Sequence, residues 1–161
     1  MTAVQIESRY ADALVGSATE VFATMVQMEA RTHRHVMPSA ETIHDEIVAV
    51  LGFTGSQGGV FVLSARLAFA RKAAASMLMA DESEFEDPSA VADSFGELCN
   101  MVGGSFKNLW VADGHRMDLS VPSVAIGERV DVMTGNKIAA SHGVVIGFDS
   151  GELRIDLRFN H

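Results

Sequence analysis

The sequence predicts an α+β fold in which long helices pack on a largely antiparallel sheet. Two stretches repeat their apolar residues at steps of three and four, the spacing that keeps one helix face apolar. The segments between and after them are short apolar runs separated by glycine-containing turns, as strands are. An Asp-Pro pair ahead of the second stretch marks a helix start.

The first stretch runs from about Ile6 to about Ala30, where Tyr10, Leu14, Val21, Met25 and Met28 line one face of a predicted helix. Pro38 marks a break after it. Between Thr42 and Ala65, the runs Ile47 to Leu51 and Val60 to Leu63 flank the glycine-rich segment Gly52 to Gly59, which reads as two strands around a turn. That segment contains no Gly-Lys-Ser/Thr and so lacks the lysine of a phosphate-binding loop. Residues 65–80, rich in Ala and Met, predict a shorter helix. An acidic loop, Asp81 to Asp87, follows, and a solvated loop explains it better than a cation site.

Asp87 can cap unpaired backbone N–H groups, and Pro88 costs nothing at the first helical position. A third helix is therefore predicted from Pro88 to Trp110, with Val91, Phe95, Leu98, Val102, Phe106 and Leu109 as its buried stripe. Strands are predicted at Met117 to Val121, Arg129 to Met133, Val144 to Phe148 and Leu153 to Phe159, with turns at Gly135-Asn136 and Asp149 to Gly151. Val50-Leu51-Gly52-Phe53-Thr54 also matches Val145-Ile146-Gly147-Phe148-Asp149, and each copy follows a long helix. Two helix-plus-hairpin units related by a pseudo-twofold axis would produce that repeat.

Bulk properties bound the function. The 161 residues fit one domain, 1–161, large enough to bury a core. A formal net charge of -9 repels polyanions, which argues against nucleic acid as a partner. The single cysteine, Cys99, forms no internal disulfide, and the first residues lack a basic region followed by an apolar stretch, so a cytoplasmic location is expected. No apolar run approaches the roughly 18 residues that cross a bilayer, so no membrane partner is expected.

The third helix carries an unusual back. Asp93, Glu97, Asn100 and Gly104, at steps of four, three and four, lie together almost opposite the apolar stripe. Gly103 and Gly104 each cost up to about 1 kcal/mol relative to Ala in mid-helix, and small residues there let another backbone come close. The residues alone leave two readings open: a solvated face, or a face that presents a carboxylate and a carboxamide to a partner.

Asp93-Ser94-Phe95-Gly96-Glu97-Leu98-Cys99-Asn100, then Met101-Val102-Gly103-Gly104, and later Leu119-Ser120-Val121-Pro122, resemble the signature of the CheC/CheX/FliY phosphatases. The single copy is similar to CheX-like chains. The resemblance extends to Val21 to Met25, the Gly52 turn and Gly59 to Ser64, nearly the whole length. It implies a phosphatase acting on the aspartyl phosphate of a CheY-like response regulator in chemotaxis or two-component signalling. Glu97 would pair with a lysine of the regulator, and Asn100 would orient the attacking water. The Mg²⁺ would belong to the regulator, with no cofactor or metal of the chain's own. Asp93, Gly104 and Lys107, with Asn108, would lie in the partner-binding face, although Lys107 also suits a helix C-terminus as a solubilising cation.

The first helix departs from the CheC pattern, since Gly16 and Thr19 occupy the places of a second Glu and Asn, so that half is expected to be silent. The resemblance also implies a homodimer through the sheet, with the apolar strands between Val144 and Phe159 as the expected edge. The same fold serves flagellar motor-switch components, so a non-catalytic binding module is the alternative. Cys99 reads as a buried thiol rather than a nucleophile, and His33, His35 and His44 as surface histidines rather than metal ligands.

Overall fold

In the computed structural model the chain order is α1 (Ser8–Val21), a π turn (Phe22–Val26), β1 (Thr32–Val36), β2 (Ile43–Gly55), β3 (Gly59–Ala65) and α2 (Leu67–Met77). A 3-10 turn (Glu82–Phe85), α3 (Pro88–Ala112), β4 (Met117–Leu119), β5 (Ser123–Val132), β6 (Ile138–Phe148) and β7 (Gly151–Asn160) follow. The structure describes residues 8–36, 43–132 and 138–160. The predicted turn at Gly135-Asn136 and the break at Pro38 lie outside them.

Among the described residues every strand pairing is antiparallel. The strands lie in the order β1-β6-β7-β3-β2-β4, and β5 also pairs with β2. The β2–β3 and β6–β7 hairpins meet through β3 and β7, where Leu63 faces Ile155. Each hairpin is flanked by a strand from the other half, β1 beside β6 and β4 with β5 beside β2. This is the pseudo-twofold arrangement that the repeated Gly-Phe segments predict.

Alternation decides the two faces of the sheet. In β7, Leu153, Ile155, Leu157 and Phe159 are buried in the main core, while the alternate residues Arg154, Asp156 and Arg158 take the opposite side. There Arg154 Nε donates to Asp156 Oδ2 at 2.9 Å. Ile47, Ala49, Leu51, Phe53, Phe61 and Leu63 extend the core face, against which the helices pack. Val48 and Val62 form a smaller cluster on the reverse.

Several boundaries differ from the expectations, each for a local reason. The first helix stops at Val21 and passes into the π turn, which buries Phe22 and Val26 and ends where Gln27 adopts φ 60°. The chain then forms β1, an edge strand whose mostly exposed residues give no apolar alternation to read. Gly52 is not a turn: β2 runs straight through it, and the reversal is confined to Ser56 to Gly58. The glycine leaves room for Ser120, whose Oγ would stand 3.3 Å from a β carbon there. Strand β5 starts at Ser123, six residues before the predicted Arg129. A register shift between Asp45 and Ile47 frees Glu46, whose Oε1 accepts from Leu67 N at 3.1 Å and so caps α2 where Arg66 provides no side-chain cap.

Two further corrections bear on function. Leu109, placed in the buried stripe, is 47% exposed; the stripe continues through Trp110, which stacks on Phe106. The strands between Val144 and Phe159 offer no edge, because β6 and β7 are each paired on both sides; the edges are β1 and the β4 and β5 pair.

Candidate functional site

Helix α3 owes its position to its first turn and its buried face. Asp87 accepts a hydrogen bond from Ser89 N at 3.0 Å with Pro88 at the first helical position, and that bond holds the Asp87 carboxyl below the usual range. Val91, Phe95, Leu98, Val102, Phe106 and Trp110 are all buried. Gly103 brings the helix close to the sheet: a β carbon there would stand 2.5 Å from Leu51 Cδ2 and 3.5 Å from Phe61 Cδ2. The adjacent Gly104 faces open space, with nothing within 4 Å of where its β carbon would be. The two glycines thus serve opposite faces, one toward the sheet and one toward the outside.

The outer face gathers the predicted residues. Asp93, Glu97 and Asn108 are exposed, and Asn100, Gly104 and Lys107 are half-buried along the same side of the helix. Among the described residues no ion pair or side-chain hydrogen bond occupies Asp93, Glu97 or Asn100, so their polar atoms are free for an incoming partner. Helix α1 runs antiparallel beside α3, with Tyr10 against Trp110 at one end, and the π turn after it brings Thr24 into one groove with Met101. Tyr10 Oη donates to Asp113 Oδ2 at 2.9 Å and pins the two helices together. A shallow groove lined by Glu20, Thr24, Met25, Met101, Gly104 and Asn108 lies along this flank.

The other flank is the segment joining β4 to β5. A β carbon on Gly96 would stand 3.2 Å from Val124 Cγ2 and 3.9 Å from Pro122 Cγ, so the glycine next to Glu97 admits that segment against the helix. Ser120 N donates to Gly52 O at 2.8 Å, and Gly52 N donates to Ser120 Oγ at 3.0 Å. Val121, between two anchored residues, is 86% exposed. The sequence places Met25 on the apolar face of the first helix and Val121 at the end of a strand, whereas Met25 follows that helix in the π turn and Val121 follows β4, and both are exposed. An apolar residue directly before the signature proline was the available signal for Val121, whereas the groove at Met25 arises from packing distant in sequence.

The weaker candidates resolve simply. Cys99 is buried, and burial pushes its thiol up to about 12. Gly16 and Thr19 lie on the matching part of α1, Gly16 exposed and Thr19 half-buried. His33 and His35 are exposed on β1, and His35 Nδ1 lies 2.9 Å from His142 Nε2; the side chain of His44 is outside the described set. Among the described residues no group of three or more His, Cys, Asp or Glu is arranged to hold a metal ion. The acidic segment forms a capped turn, Asp81 accepting from Ser83 N and Glu84 from Asp81 N.

Residues 47–149, which run from β2 to the β6–β7 turn and include all of α3, match the family described as chemotaxis phosphatase CheX. This chain belongs to the CheX family. It is therefore a phosphatase. A CheX relative from Thermotoga maritima, named CheY-P phosphatase CheX, is 27% identical over 127 residues, covering 79% of this chain and 81% of the relative. The CheX fold itself is shared with a crystal structure of CheX from Desulfovibrio desulfuricans, with a TM-score of 0.84 at 19% identity over 94% of this chain and 99% of the other. A CheX–CheY–BeF3–Mg²⁺ complex from Borrelia burgdorferi contains a chain that superposes with a TM-score of 0.79 at 18% identity, covering 94% and 98%. Among the described residues no CheX helix here is long and apolar enough to cross a membrane.

Proposed function

We propose that this protein hydrolyses the aspartyl phosphate of a CheY-like response regulator, with Asn100 orienting the attacking water and Glu97 anchoring the regulator. The observation that carries this reading is the placement of Glu97 and Asn100 on one exposed side of a helix clamped to the sheet, with no internal partner. The relative named CheY-P phosphatase and the neighbour solved with CheY support the choice of substrate.

The chemistry asks for little beyond that arrangement. An acyl phosphate is already reactive, so water oxygen attacks phosphorus in line, the bond to the aspartyl oxygen breaks, and inorganic phosphate and the free carboxylate result. Asn100 supplies an acceptor for the water's proton and an N–H for a phosphoryl oxygen; a carboxamide positions the water without removing its proton as a base. Glu97 forms a charge-assisted bond with a lysine of the regulator, which fixes register on docking. The regulator brings the Mg²⁺ in its own acidic site. Asp93, Gly104 and Lys107 border the contact, Gly104 leaving room for a close backbone approach. The setting is the cytoplasm, where response regulators work. A homodimer, if formed edge to edge, would pair through β1 or through β4 and β5.

Separating turnover from binding tests these roles. Asn100→Ala is expected to abolish catalysed phosphate release while still binding a fluoroberyllate-loaded regulator; Glu97→Ala is expected to weaken that binding by about tenfold or more. Asn100→Ala retaining full turnover would contradict the assignment.

A further inference from the structure

Of the six large hydrophobic side chains left exposed among the described residues, two border the outer face of α3 on its flanks: Met25 at 48% and Val121 at 86%. A single exposed hydrophobic residue is ordinary on a protein surface. Met25 and Val121 form a pattern with the polar ridge, because they stand on its two flanks. Val121 lies on the strand flank, and Met25 on the α1 flank in the groove with Gly104.

The backbone at Val121 and at Met25 is held in place. Val121 sits between Ser120, bonded twice to Gly52, and Pro122, whose ring fixes its own backbone torsion and packs at Gly96. Met25 belongs to the π turn whose neighbours Phe22 and Val26 are wholly buried. Backbone so anchored needs no ordering on binding, and Val121, with a single stiff side-chain torsion, presents apolar surface that costs little additional entropy.

We propose that Met25 and Val121 form an apolar frame on the two flanks of the ridge that closes on the receiver domain of the response regulator around its phosphoaspartate, and that this frame sets affinity and choice of regulator. The proposal rests on the reading given under Proposed function. Its physical role is to exclude water from the ridge, where the bond between Glu97 and the regulator's lysine gains strength as the local dielectric falls. Receiver domains share the aspartate, the lysine and the metal-binding carboxylates, so Glu97 and Asn100 meet much the same chemistry on all of them. Discrimination must come from surrounding shape, which the two flanking apolar contacts supply.

The experiment compares Val121→Asp, Met25→Asp and the pair with wild type, using phosphorylated regulator for turnover and fluoroberyllate-loaded regulator for binding. Met79→Asp, at an 82% exposed methionine that follows α2, serves as the control. Each frame substitution is expected to raise KM and Kd by about tenfold with kcat at saturation retained, while the control matches wild type. Equal thermal midpoints establish that the variants are folded. If wild type turns over and the frame variants keep its KM, the frame is wrong and the phosphatase reading stands. If wild type neither binds nor dephosphorylates any regulator, both are wrong.

Discussion

Gly96 packs against Val124, whose Cγ2 would stand 3.2 Å from a β carbon on the glycine, with Pro122 Cγ in ordinary contact at 3.9 Å. The signature glycine and the proline some twenty-six positions later are thus two sides of one contact, and Glu97 is the next residue along the helix. Gly96→Leu forces the start of β5 away from α3. Overpacking of this kind is expected to cost about 1–3 kcal/mol in denaturant unfolding and to lower turnover at the displaced ridge.

Adjacent glycines in α3 predict effects of opposite sign. Gly104→Ala adds a methyl to open space and should stabilise the helix by up to about 1 kcal/mol. Gly103→Ala drives a methyl into Leu51 and should destabilise by about 1–2 kcal/mol after the same helical gain is allowed for. Thermal or urea melts of the two variants check this; the same sign for both would contradict the packing described.

Tyr10 and Asp113 tie the start of α1 to the end of α3, with Arg9 Nη2 2.9 Å from the same carboxylate oxygen. Tyr10→Phe keeps the ring among Phe106 and Trp110 and removes only the hydroxyl. Loss of about 0.5–1.5 kcal/mol in unfolding free energy is expected, with the fold retained by circular dichroism.

Cys99 gives a pH-dependent prediction. Its folded thiol, at about 12, lies above the reference value of 9.0, so the fold favours the neutral form. The corresponding stability is complete below pH 9 and is lost as pH rises from 9 toward 12. Iodoacetamide at pH 8 should therefore alkylate the native chain far more slowly than the chain in denaturant. Equal rates would show that the thiol is not buried as described.

Much of this was legible in the residues because local signals and packing agreed. Asp87-Pro88 and the stripe from Val91 to Phe106 marked α3, and the same 100° steps placed Glu97 and Asn100 on its back. Legibility failed where tertiary contact decides. Gly52 resembles a turn residue, yet it is a strand glycine accommodating Ser120, which is sixty-eight positions away. Strand β1 has no apolar alternation because it is an edge with both polar faces wet. The run Val144 to Phe159 reads as an apolar edge, but such apolar strands belong in the middle of the sheet, between β1 and β3. The frame around the ridge was invisible for the same reason, since Met25 comes from the π turn and Val121 from the connection between β4 and β5.

The most direct test is phosphate release from purified phosphorylated response regulators of the source organism, measured alone, with wild-type protein, and with a Glu97→Ala plus Asn100→Ala double variant. Catalytic acceleration by wild type on at least one regulator, absent in the folded double variant, is the predicted result. Acceleration that persists in the double variant would contradict the roles of Glu97 and Asn100, and no acceleration by wild type on any regulator would contradict the substrate itself.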